Sequence, residues 1–104
     1  MKKPIRHNGR SVDENYKLWR LAIYSRDEFK CQWPGCQSKR RINAHHIKRW
    51  SDYPGLRFNT NNGITLCERH HKSIAGLEDN YAPMFYQIIV ARTMSERSRK
   101  DHEK

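Results

Sequence analysis

The sequence predicts a small α+β domain: a two-stranded core stapled by a bound metal, with one helix before it and one after. Three observations predict it. Runs with helical spacing of apolar residues bracket two short strand-like segments, Arg41–Ile47 and Ile64–Leu66. The chain has 104 residues, of which 36% are hydrophobic, so its core must be small. Its three cysteines are an odd number that disulfides cannot use up, yet they fall at metal-ligand spacing.

Residues 1–12 read as a basic arm, with Pro4, Asn8 and Gly9 breaking any regular pattern. Residues 13–28 predict a helix. Asp13 and Glu14 suit its first turn, and Tyr16, Trp19, Leu21, Ile23 and Tyr24 recur near the helical period. Cys31 to Cys36 form a loop turned tightly by Pro34-Gly35. The first strand follows, then a long loop over 49–62 with Pro54-Gly55 and three asparagines, then the second strand. Cys67 opens a short helix to about Ala75, with Gly76 at its C-cap. A last helix is expected from Pro83, in the first turn, to the mid-90s, burying Phe85, Ile88, Ile89 and Met94. A polar tail occupies 97–104. This leaves a single domain over 13–96, without repeats or a linker. The longest apolar run, Ile88–Ala91, falls far short of the roughly 20 residues of a membrane span. With no secretory leader in view, a reducing cytoplasmic compartment is expected.

The formal net charge is +10, and two short blocks without acids hold nine of those ten charges. One is Lys2, Lys3, Arg6 and Arg10; the other is Lys39, Arg40, Arg41, Lys48 and Arg49. Charge of this density suits a polyanion, and nucleic acid first. A charge run can serve solubility alone, which is as good a reading of the first block. The second surrounds His45-His46, which favours contact with phosphates.

Cys31 and Cys36 have four residues between them, and Cys67 and His70 have two. Structural zinc takes four ligands as two close pairs on two turns. The Pro34-Gly35 turn lets two thiolates converge, and the Cys67/His70 spacing puts both side chains on one helical face. The expected site is therefore Cys3His, and it explains the odd cysteine. A two-Cys, two-His finger fits poorly because His45 and His46 are adjacent.

Four of the six histidines form two adjacent pairs, His45-His46 and His70-His71. Neighbours on a strand face opposite ways, so His45 and His46 can do different work. On a helix His71 is turned about 100° from His70. With His70 on zinc, His71 can face the strands, and a second, catalytic ion can sit between His45 and His71. His46 then remains as a general base with an ordinary pKa near 6.5. His7 and His102 stand alone and read as surface residues.

These residues carry a family resemblance. Cys31 and Cys36, then Ala44-His45-His46-Ile47, then Asn62-Gly63-Ile64-Thr65-Leu66-Cys67 with His70-His71, resemble the zinc-containing HNH nucleases. The lead-in Trp19-Arg20, Arg26-Asp27 and Phe29 looks similar too. Pro54-Gly55-Leu56-Arg57-Phe58 is similar to small phage and mobile-element members. The resemblance implies the ββα-metal fold, in which a hairpin and a helix clasp one divalent ion. It implies His45 and His71 as ligands of that ion and His46 as the base that takes a proton from water. It implies that Asn62, or Asn61 if the loop is shifted by one, holds the hairpin loop and orients His46. It also implies hydrolysis of DNA phosphodiester bonds, by nicking or double-strand cleavage. Mg2+ or Mn2+ would assist, and histidine ligation also admits Ni2+ or Co2+. Two features depart from the family: four residues rather than two between the first cysteines, and His70 where a cysteine is usual. They leave open which of His70 and His71 serves which ion.

The implied partner is double-stranded DNA, met as a monomer or weak dimer, in a bacterial or phage setting with a larger protein such as packaging machinery. The alternative is a non-catalytic zinc module that binds nucleic acid. It would keep the cysteines and the basic block but has no need of His45, His46, Asn62 and His71 together. A purely structural zinc domain would not need the charge.

Overall fold

A computed structural model describes the backbone of residues 9–102 and the side chains of residues 9–94. Helix α1 spans Val12–Arg26. Ser11 caps it, its hydroxyl oxygen accepting from the Glu14 N–H at 3.1 Å. Asp13 and Glu14 lie in the first turn and Arg26 in the last, as the helix dipole favours. Asn15, Trp19 and Ile23 recur every four residues and are buried. Leu21 was expected among them but is exposed, because it points away from that stripe. The helix stops at Asp27, and Glu28 and Phe29 turn the chain with φ near +58° and +57°.

Strands β1 (Ile42–His46) and β2 (Gly63–Cys67) form an antiparallel pair. Ile42 faces Cys67 at one end and His46 faces Gly63 at the other. Every residue of β2 is buried, since α1 covers one face and the C-terminal helices the other. Gly63 is where α1 comes closest: an added Cβ would lie 2.5 Å from Trp19 Cζ2 and 2.6 Å from Ile23 Cδ1. The long connection contains two short 3-10 turns, Pro54–Leu56 and Thr60–Asn62.

Helix α2 covers Glu68–Ser73, with Cys67 as its N-cap residue. It ends earlier than expected. Gly76 has φ +81°, but it sits in the following turn and not at the helix cap. Helix α3 runs Glu78–His102, so it starts five residues before Pro83 and extends beyond the mid-90s. Pro83 therefore lies inside the helix and cannot donate to the Asp79 carbonyl one turn back. Burial of Ala82, Phe85 and Ile89 along one face outweighs that loss. Met94, expected in the core, is exposed because the helix has by then passed the hairpin.

The core comprises Ile47, Ile64, Leu66, Ile74, Ala82, Phe85 and Ile89, bordered by Cys31 and Cys67. One buried carboxylate ties three elements together. Asp27 receives Arg26 at 2.8 Å, accepts the Thr65 N–H at 2.9 Å and lies 3.8 Å from Arg92. Most of the basic arm expected over 1–12 lies outside the described residues, as do residues 103–104 of the expected tail. Among the described residues no helix is long and apolar enough to cross a membrane.

Gly63→Ala forces the added methyl into Trp19 and Ile23. It is expected to destabilise the fold by about 1–3 kcal/mol, read as a lowered midpoint in thermal or urea unfolding. An unchanged midpoint would contradict the close approach of α1.

Candidate functional site

Two groups of side chains lie about the hairpin, one near its Ile42–Cys67 end and the other toward its His46–Gly63 end. The first is Cys31, Cys36, Cys67 and His70, whose donor atoms all lie within 4.8 Å of one another. Cys67 Sγ is 3.3 Å from His70 Nδ1 and 3.9 Å from Cys36 Sγ, and Cys31 Sγ is 3.6 Å from His70 Nδ1. Zinc–sulfur bonds of about 2.3 Å in a tetrahedron give sulfur–sulfur edges of about 3.8 Å. The four donors thus already stand at the spacing of a tetrahedral ion. Backbone bonds build the cradle: the Cys31 N–H donates to Ser38 O at 2.7 Å and the Cys36 N–H to Trp33 O at 2.9 Å. Trp33 stacks on the His70 ring at 4.7 Å and fixes its plane. Without a cation, burial holds the Cys31 thiol up at about 12. Three sulfurs this close are a poor arrangement for a metal-free core and a good one for zinc.

The second group lines an open cleft of about 360 Å³ at the other end. His45 and His46 come from β1, His71 from α2, Tyr16, Arg20 and Tyr24 from α1, and Glu78 from the start of α3. His45 sits on the face covered by the C-terminal helices, packed edge-on to Phe85. Its ring lies 5.5 Å from that of His71. Its Nε2 is buried and has no hydrogen-bond partner. Burial, aided by His71, lowers its pKa to about 4, so its lone pair is available near neutral pH.

His46 faces α1. Its ring lies flat on Trp19 at 3.8 Å and meets Trp50 edge-on. Nε2 is 2.9 Å from the Arg57 carbonyl oxygen. A carbonyl can only accept, so Nε2 carries the hydrogen and Nδ1 presents a lone pair. Burial pulls the His46 pKa down, and the Arg57 contact opposes it.

Asn62 is buried and fully used. Its Oδ1 accepts from the Lys48 N–H at 2.8 Å and the Tyr86 hydroxyl at 2.9 Å. Its Nδ2 donates to Lys48 O at 3.1 Å and Leu56 O at 3.2 Å. It thereby closes the long loop on itself beside Arg57, the residue that receives His46. Asn61 is exposed and makes no such clamp.

The basic residues expected to meet phosphates divide. Arg49 lines the cleft but is ion-paired to Asp52 at 3.1 Å and Asp79 at 3.2 Å. Arg40 and Arg41 border a separate pocket next to the cysteines, where Arg41 pairs with Glu68 at 3.1 Å. Lys48 lies over the Tyr53 ring at 5.6 Å, and Lys39 is exposed. The sequence reading missed Tyr16, Arg20 and Glu78. The four-residue spacing of Tyr16, Arg20 and Tyr24, a stripe beside Asn15, Trp19 and Ile23, could have revealed the first two.

Residues 29–74 match a family model described as HNH endonuclease. That stretch carries the cysteines, both histidine pairs and Asn62, so the resemblance drawn from those residues holds. No curated protein and no solved structure matched the chain.

Treatment with a strong chelator is expected to lower the thermal midpoint sharply, and addition of Zn2+ to restore it. Metal analysis of the purified protein should find about one zinc per chain, and Cys67→Ser should lose it. A melting curve indifferent to chelation would refute a structural metal.

Proposed function

We propose that the chain is a metal-dependent endonuclease that hydrolyses DNA phosphodiester bonds, with double-stranded DNA as its substrate. The observation that carries this reading is the pairing of two differently prepared histidines in one cleft. His45 offers a buried, unpartnered nitrogen beside His71. His46 offers a free Nδ1 because its Nε2 is bonded to Arg57. A non-catalytic zinc module needs neither.

His45 and His71 would hold a divalent ion, Mg2+ or Mn2+ in the first instance. When bound, such an ion supplies charge stabilisation for the phosphate oxygens and the leaving 3′ oxygen. His46 takes the proton from the attacking water through Nδ1. The Trp19 stack and the Arg57 carbonyl hold its ring in place, so little rotation is left to lose on reaching the transition state. Asn62 is a positioning residue: it fixes the loop that presents Arg57. Cys31, Cys36, Cys67 and His70 hold structural zinc and keep α2, and with it His71, at the hairpin.

Arg20 and Arg49 stand at the cleft wall to meet phosphates near the cut. Arg20 lies over the Tyr16 ring at 5.7 Å and has no carboxylate partner among the described residues. Lys39, Arg40, Arg41 and Lys48 would extend the contact along the duplex. The nuclease domain is taken as 13–96, with the basic arm 1–12 adding to DNA affinity, in a cytoplasmic, bacterial setting.

His46→Ala is expected to lower plasmid nicking by at least about a hundredfold, the usual contribution of a general base. DNA affinity, read by gel shift, should be little changed. Undiminished nicking would refute the assignment.

Because His46 works as the neutral ring and its pKa is lowered, cleavage should hold through neutral pH and fall only below about 6.5. A profile that falls at higher pH would contradict this.

Arg20→Ala should weaken DNA binding and flatten its salt dependence by about one unit of log–log slope, as loss of one phosphate contact requires. An unaltered slope would remove Arg20 from the interface.

A further inference from the structure

We propose that Glu78, the first residue of α3, supplies through a bound water the carboxylate partner of the divalent ion held by His45 and His71. This rests on the two-histidine reading above and deepens it. Mg2+ and Mn2+ are hard ions that favour oxygen donors, and two neutral imidazoles suit them poorly. The cleft is also rich in positive charge, so a cation needs a compensating carboxylate. Among the described residues that line the cleft, Glu78 is the sole carboxylate. Its neighbour Asp79 does not line the cleft and is engaged by Arg49 at 3.2 Å. That ion pair also pins the start of α3 to the loop after β1. The buried, unpartnered His45 Nε2 independently marks a place where a ligand is missing. Backbone N–H groups of Glu78 itself and of Gly76 keep the carboxyl below the usual carboxylate range, so it is charged at neutral pH. It lies beyond residues 29–74, the segment matched by the family model. Among the described residues the donor atoms of His45, His71 and Glu78 do not all stand within 4.8 Å of one another, so the carboxylate would reach the ion through a bound water.

The test uses the full, zinc-loaded chain and Mn2+ or Ni2+ alone as probes, with affinities read by Mn2+ electron paramagnetic resonance and Ni2+ calorimetry. Glu78→Gln should weaken Mn2+ binding by about tenfold or more. It should affect Ni2+ much less, since imidazole suits that ion. Glu78→Asp should recover part of the Mn2+ affinity. A purely structural role at the helix start would lower both metals together and would not shift their ratio. If His45→Ala abolishes Mn2+ binding while Glu78→Gln leaves it intact, the carboxylate proposal is overturned and the two-histidine reading stands. If neither variant alters Mn2+ binding, both fall. Circular dichroism and thermal midpoints without Mn2+ identify a variant that has lost its fold, and Glu78→Asp then decides the matter.

Discussion

The contact on which the cleft depends is between a helix and a glycine. Gly63 has no side chain, so Trp19 and Ile23 of α1 lie directly against the end of β2. Its register partner is His46. The indole that fills the space above Gly63 therefore also lies flat under the His46 ring. Trp19 then reaches further, its Nε1 donating to Asn59 O at 2.9 Å and tying the long loop to the helix. A packing requirement in the core and the orientation of a proposed catalytic base are met by one side chain. A larger residue at 63 would disturb both.

The same economy appears at the far end of α1. Asp27 is buried, yet its oxygens are taken up by Arg26, Arg92 and the Thr65 N–H. Buried charge is costly unless it is matched in this way. Arg26 also donates to Thr60 O at 2.8 Å and Gly63 O at 2.7 Å. The C-terminal end of the helix is thus fixed to β2, and α3 is drawn in through Arg92. For so small an apolar core, these polar ties and the four-donor cluster supply much of what defines the position of each element.

Much of this was legible in the sequence, because local chemistry decides it. The Cys31/Cys36 and Cys67/His70 pairs converge through a tight turn and one turn of helix, both readable from spacing. His70 and His71 were ambiguous as letters; of the two, it is His70 whose Nδ1 stands 3.3 Å and 3.6 Å from sulfurs. Of the two asparagines it is Asn62 that is buried, a difference no single sequence displays. What remained hidden depended on tertiary packing. Pro83 is a sound start signal for a helix, but burial of Ala82 and Phe85 carries α3 through it. Leu21 and Met94 match the helical period yet face solvent, because the surface each helix covers is narrower than the pattern suggests. Arg20 and Glu78 reach the cleft from helices distant in sequence, and only the fold brings them there.

Each of the three tryptophans meets a histidine: Trp19 stacks on His46, Trp50 meets the same ring edge-on, and Trp33 stacks on His70. Indole emission is quenched by a protonated imidazole in contact with it and altered when a ring nitrogen takes a metal. The molecule therefore carries an internal optical reporter at each centre. Trp33 watches the cysteine cluster, while Trp19 and Trp50 watch the proton on His46. Single-tryptophan variants would allow the two events to be followed separately, in solution and without a label.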